Sequence, residues 1–142
     1  AVRLGWCYGP SSVIDVLNRL RGPFNVTAPA QAAGIAALDD DEFLAAVVAH
    51  NNIWRSWLET EFRKLGFNRV VSSVTNFVLL GFEGEAQADA ALSFMAGKGV
   101  LIRDLRAYGL GEFLRITVGL EEECRAVIET LTEFQEMQKS SE

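Results

Sequence analysis

Apolar residues recur at helical spacing in some stretches of this chain and at every second position in others. The exchange between the two rhythms predicts an α+β fold. Ala1 to Gly9 reads as a leading strand closed by Gly9 and Pro10. Ser11 or Ser12 then caps a helix with Val13, Val16, Leu17 and Leu20 on one face, and Gly22 and Pro23 stop it. After a tight segment from Pro23 to Ala28, Pro29 suits the first turn of a short helix of small residues, Ala30 to Leu38. That helix is expected to be buried, since its lack of bulk admits close neighbours. Asp39, Asp40 and Asp41 offer caps to a long helix from about Glu42 to Leu65. Its inward positions are Phe43, Val47, Ile53 or Trp54, Trp57 or Leu58, Phe62 and Leu65. Gly66 ends it through a left-handed residue.

The second half changes rhythm. Short β-prone runs at Arg69 to Ser72 and Asn76 to Phe82 lead to a helix from Ala86 to Ala96. Strands follow at Val100 to Arg103 and Leu114 to Val118, and a last helix runs from Glu121 to about Gln138 with Cys124, Val127, Ile128, Leu131 and Phe134 inward. In the last strand Leu114, Ile116 and Val118 alternate with Arg115 and Thr117, so Arg115 points away from the apolar layer. A guanidinium inside an apolar strand costs several kcal/mol to bury unless an anion pairs with it. Its partner is either an acid of this chain, in a structural ion pair, or a ligand carboxylate.

Composition narrows the field. With 142 residues, 49% of them hydrophobic and 23% charged, the chain supports one ordinary core and not two large ones. A net charge of −6 argues against nucleic acid, whose binders need a basic footprint. The apolar runs fall short of the roughly 18 residues of a membrane span, and a cationic leader with an apolar core is not seen, so the chain reads as soluble and cytoplasmic. Cys7 and Cys124 lack metal-ligand spacing and read as reduced thiols. His50 has no carboxylate or cysteine at ligand spacing and is expected to be neither ligand nor base. Trp54 and Trp57 read as core anchors. Gly109-Leu110-Gly111 reads as a loop between strands, because the strand, helix and lysine of a phosphate loop are missing. The abrupt start at Ala1 suggests a piece of something longer.

Five blocks in order carry a resemblance: Arg3-Leu4-Gly5, Pro23-Phe24-Asn25-Val26-Thr27-Ala28-Pro29-Ala30-Gln31, Ser72-Ser73-Val74-Thr75-Asn76-Phe77, Gly99-Val100-Leu101-Ile102-Arg103-Asp104 and Leu114-Arg115-Ile116-Thr117-Val118-Gly119. Together they resemble the C-terminal part of the histidinol-phosphate aminotransferases, fold-type I enzymes that use pyridoxal phosphate. The resemblance implies a small α+β domain of mostly antiparallel sheet covered by helices. Residues 1–28 would be a remnant of the large domain and its junction, 29–138 the small substrate domain, and 139–142 a tail. It implies that Arg115 holds the substrate α-carboxylate, that Arg103 contacts the substrate phosphate, and that Arg3 contacts the cofactor phosphate. Asn25 and Asn76 lie in family blocks but suit turn or strand-edge hydrogen bonding.

The resemblance also says what is missing. The family's Schiff-base lysine lies upstream of Arg3, and Lys64, Lys98 and Lys139 are the lysines here. No catalytic residue is therefore expected in this chain, nor cofactor binding or transamination by it alone. The parent would be a homodimer acting on glutamate and imidazole acetol-phosphate in histidine biosynthesis. Two other readings stay open: a stand-alone α+β module that binds an anion or a protein, and a fragment of a related phospho-amino-acid decarboxylase or aromatic aminotransferase.

Overall fold

A computed structural model describes residues 3–140. The chain divides into two compact units, one ending at Ala46 and one beginning at Val47. The first holds α1 (Ser11–Leu20), α2 (Ala28–Leu38) and the opening of α3 (Asp41–Lys64). Its expected leading strand is not formed, because residues 3–10 pair with no strand and a lone strand leaves its backbone groups unsatisfied. Residues 1 and 2 of that expectation lie outside the described residues. Neither Ser11 nor Ser12 caps α1. Both stand in its first turn, and Pro10 is the cap residue, its carbonyl accepting from Val13 and Ile14. In α2 the Thr27 hydroxyl accepts from the Ala30 amide at 3.3 Å, and Pro29 sits in the first turn. The expected burial of α2 is reached at Ala30 alone, with Ile35 and Leu38 exposed.

The second unit is a four-stranded antiparallel sheet with helices on one face. Its strands are β1 (Arg69–Val71), β2 (Phe77–Gly81), β3 (Arg103–Asp104) and β4 (Phe113–Thr117), in spatial order β1-β2-β4-β3. The remainder of α3, together with α4 (Glu85–Gly97) and α5 (Glu121–Lys139), covers the inner face. Alternation decides which side chains go inward. Val78 and Leu80 from β2 and Leu114 and Ile116 from β4 meet Leu58 and Phe62 of α3, Ala88, Ala91 and Met95 of α4, and Cys124, Leu131 and Phe134 of α5. Each of the large aliphatic members contributes about 1.5–3 kcal/mol by leaving water.

Two helix ends use left-handed glycines. Gly66 at φ +90° lets the Phe67 amide donate back to Phe62 O at 3.0 Å, closing α3. Gly99 at φ +82° does the same for α4, with Val100 N donating to Met95 O at 2.9 Å. That second closure explains why the strand expected over Val100 to Arg103 shrinks to Arg103–Asp104: residue 100 is still bound to the helix. The inward set expected on α3 is also shorter than its period suggests. Leu58 and Phe62 are buried and Trp54, Trp57 and Leu65 partly so, while Phe43 and Ile53 are exposed. Asp40 supplies the cap for α3, its Oδ1 accepting from Phe43 N at 2.9 Å.

Candidate functional site: two arginines abreast on the outer sheet face

The residues that do not point into the core define the sheet's outer face. On β4 these are Phe113, Arg115 and Thr117, with Phe77 and Leu79 beside them on β2. Arg115 sits in the middle of β4, opposite Leu79 on one side and Arg103 of β3 on the other. Side chains directly opposite on an antiparallel pair stand about 4.5–5.5 Å apart at Cβ, so the sheet holds two guanidiniums abreast. Like charges in that position destabilise a sheet unless an anion lies between them.

Neither cation is neutralised from within. Arg115 is half-buried, its guanidinium lies 5.2 Å over the Phe77 ring, and its Nε is shielded from solvent without an acceptor. Arg103 is exposed, and among the described residues no carboxylate pairs with either. Their neighbours differ. Arg69 lies 4.5 Å over Phe113, donates to Phe82 O at 2.8 Å and pairs with Glu112 at 3.1 Å. Asp104, next to Arg103 in sequence, is committed to Arg106: Oδ1 accepts from its amide at 2.9 Å and Oδ2 from its Nε at 2.8 Å. Those bonds hold the Asp104 carboxyl below its ordinary range. The face can thus bind an anion between planar, permanently charged forks, which suit carboxylate and phosphate oxygens.

Arg3 lies in the first unit, exposed and with the left-handed φ of 56°. Within the second unit, Arg103 and Arg115 stand together. No lysine stands with them: Lys64 pairs with Glu61 and Lys98 with Glu133, while Lys139 ends α5. His50 has a structural partner, its Nε2 lying 2.8 Å from Gly119 O just beyond β4. Trp54 and Trp57 pack against the core and also flank Arg125, whose guanidinium is 5.4 and 5.3 Å from their rings. Among the described residues no group of three or more acids, cysteines or histidines is placed to hold a metal. No helix of the described residues is long and apolar enough to cross a membrane. Sequence reasoning missed Phe77 as the platform under Arg115. Period-two alternation along β2 is the signal that places it on the outer face, but only register shows which cation it meets.

Comparison with known proteins gives the arrangement a context. The pattern of the class I and II aminotransferases matches residues 1–131. The histidinol-phosphate aminotransferase of Rhodopseudomonas palustris (strain BisB18) is 44% identical over 137 residues, and that of Paramagnetospirillum magneticum is 46% identical over 135. In both cases 94% of this chain is covered, and the chain spans 37% of the relative's length. A solved structure from Burkholderia pseudomallei matches at 32% identity with a TM-score of 0.78, over 89% of this chain and 38% of its own. The histidinol-phosphate aminotransferase of Sinorhizobium meliloti, solved with pyridoxal-5'-phosphate, shares the fold at a TM-score of 0.77 and 24% identity, over 86% of this chain and 33% of its own. The family uses pyridoxal phosphate. By a match that spans most of its length, this chain belongs to the class I and II aminotransferase family.

Proposed function

We propose that this chain is the substrate-recognition part of a histidinol-phosphate aminotransferase, which moves an amino group between glutamate and imidazole acetol-phosphate. The observation that carries the proposal is the pair of uncompensated guanidiniums abreast on an open sheet face. The high identity to named relatives supports the choice of substrate. In this reading Arg115 grips the substrate α-carboxylate, Arg103 the substrate phosphate, and Arg3 the cofactor phosphate. Residues 1–28 go with the large domain and junction, 29–138 form the substrate domain, and 139–142 are a tail. The working protein is a cytoplasmic homodimer, and much of its cleft comes from its large domain.

A bidentate grip on the carboxylate fixes the plane in which the substrate lies, and so the direction of its Cα–H bond. Arginine gives orientation here and no proton transfer, since it stays charged at any working pH. The residues of this chain do not fit pyridoxal phosphate by themselves. Lys64 and Lys98 are engaged in ion pairs on helices or helix ends, and neither stands with the arginines. No bond-making step belongs to this chain. Accordingly, the chain mixed with the cofactor and both substrates is expected to show no aminotransfer.

Calorimetric titration with glutamate, the substrate that carries an α-carboxylate, tests the site itself. Charge-assisted bidentate bonds are worth about 1.5–3 kcal/mol, so Arg115→Ala is expected to weaken binding about tenfold or more. Arg115→Lys, which keeps the charge and loses the fork, should fall between. Equal binding by all three proteins overturns the role given to Arg115.

A further inference from the structure

We propose that Phe77 is a positioning residue for Arg115, and that its ring leaves the paired Nη atoms as the edge that meets a carboxylate. This rests on the reading of Arg115 as the carboxylate grip and assigns the edge of the fork that does the gripping. A guanidinium offers two kinds of edge, Nη1 with Nη2 and Nε with one Nη. In Arg115 they are not equivalent. The guanidinium carbon stands 5.2 Å from the centre of the Phe77 ring, while Nε is shut off from solvent and has no acceptor. Arg115 as a whole is half-buried, and Nε is the nitrogen that is closed in. A ligand oxygen cannot bond a donor that water cannot touch unless the side chain first swings away. The Nη edge is the one left to an anion.

Register makes this ring the seat. Arg115 is directly opposite Leu79 and diagonal to Phe77, and the residue opposite Phe77 is the small Thr117, so the arginine stem has room to lean across. The other ring on this face is taken. Phe113 lies 4.5 Å under Arg69, a contact that Gly81 permits, since a Cβ at that position would come within 2.7 Å of both side chains. Arg103 opposite Arg115 repels it, whereas the face of a ring within about 6 Å attracts it. Phe77 is itself held from behind. The Glu59 carboxylate on α3 accepts from Ser72 Oγ at 3.2 Å and from Ser73 N at 3.3 Å, and Arg55 donates to Thr75 O at 3.0 Å. Asn76 O then accepts from Val118 N at 2.9 Å. Together these bonds fix where β2 begins, and the run from Ser72 to Asn76 is the mount for the ring.

The test is NMR of the Arg115 Nε–Hε group in the whole chain, identified by its loss in Arg115→Lys. In wild-type protein Hε is expected to exchange slowly with water and to cross-relax with the Phe77 ring protons, which requires no variant. Phe77→Leu keeps apolar bulk and removes the ring face. It should speed Hε exchange about tenfold or more and weaken glutamate binding about three- to fivefold. Phe77→Tyr keeps the face and should bring both back to within about twofold of wild type. At saturating glutamate the wild-type Hε should stay protected while the Nη resonances shift. Fast Hε exchange in wild type, absent cross-relaxation, or unchanged exchange in Phe77→Leu overturns the role of Phe77. So does undiminished glutamate binding by Phe77→Leu alongside weakened binding by Arg115→Ala. A downfield shift of Hε on adding glutamate, the mark of a new hydrogen bond there, overturns the choice of edge. Failure of the carboxylate reading looks different: wild type and Arg115→Ala bind glutamate equally, with Hε protection and its loss in Phe77→Leu both intact.

Discussion

At the level of single residues, alternation along β4 sorts neighbours into opposite energetic classes. Leu114 is 1% exposed and Thr117 lies on the open side. Leu114→Ala is therefore expected to cost about 2–5 kcal/mol in urea denaturation, against roughly 0.5 kcal/mol or less for Thr117→Ala. This division was legible in the sequence, because period-two alternation is local. The placement of Arg103 beside Arg115, and of Phe77 beneath it, was not. Both depend on strand register, which only the assembled sheet fixes. The cysteines give a second residue-level test. Burial raises the Cys124 thiol above its ordinary 9.0, whereas Cys7 is exposed. A raised folded pKa contributes stability below the unfolded value that is lost as pH rises through 9 toward the folded value. Cys124→Val should flatten stability on that alkaline limb, and a thiol reagent should label Cys7 quickly and Cys124 only at the rate of opening.

Among elements, helix ends were easier to read than helix faces. Gly66 was expected to be left-handed and is, since a stop signal acts through the backbone of a few residues. Gly66→Ala is expected to lower stability by about 1 kcal/mol for that φ, measurable as a shifted denaturation midpoint with unchanged slope. Faces fared worse. Periodicity in α2 and the first turns of α3 shows where apolar side chains line up, but not whether another element covers them, and most of these stay exposed. The helix α3 should show this difference in hydrogen exchange: amides near Leu58 and Phe62 should exchange far more slowly than those near Phe43 to Val48. The shortened β3 is a related case. The sequence favoured strand from Val100, but the hydrogen bond that closes α4 claims that residue first.

For the molecule as a whole, acid stability follows from ion pairs at the ends of the sheet. Asp104 is held below its ordinary 3.8 by Arg106, and Glu112 below 4.5 by backbone hydrogen bonding and Arg69. Carboxylates with depressed folded values contribute stability above their unfolded values and lose it as pH falls through the folded ones. Thermal denaturation should therefore show midpoints falling below about pH 4, and less steeply in Arg106→Leu. The α+β class was readable at this scale because each element announces itself locally, and the outer face drew notice through Arg115 alone. A different consequence follows from the pair on that face. They are a small positive island on a body of net charge −6. A negatively charged guest is repelled from afar and attracted at close range, so added salt should speed its arrival while hastening its escape. Stopped-flow rates with opposite slopes against ionic strength would be the kinetic mark of two adjacent cations set in an anionic surface.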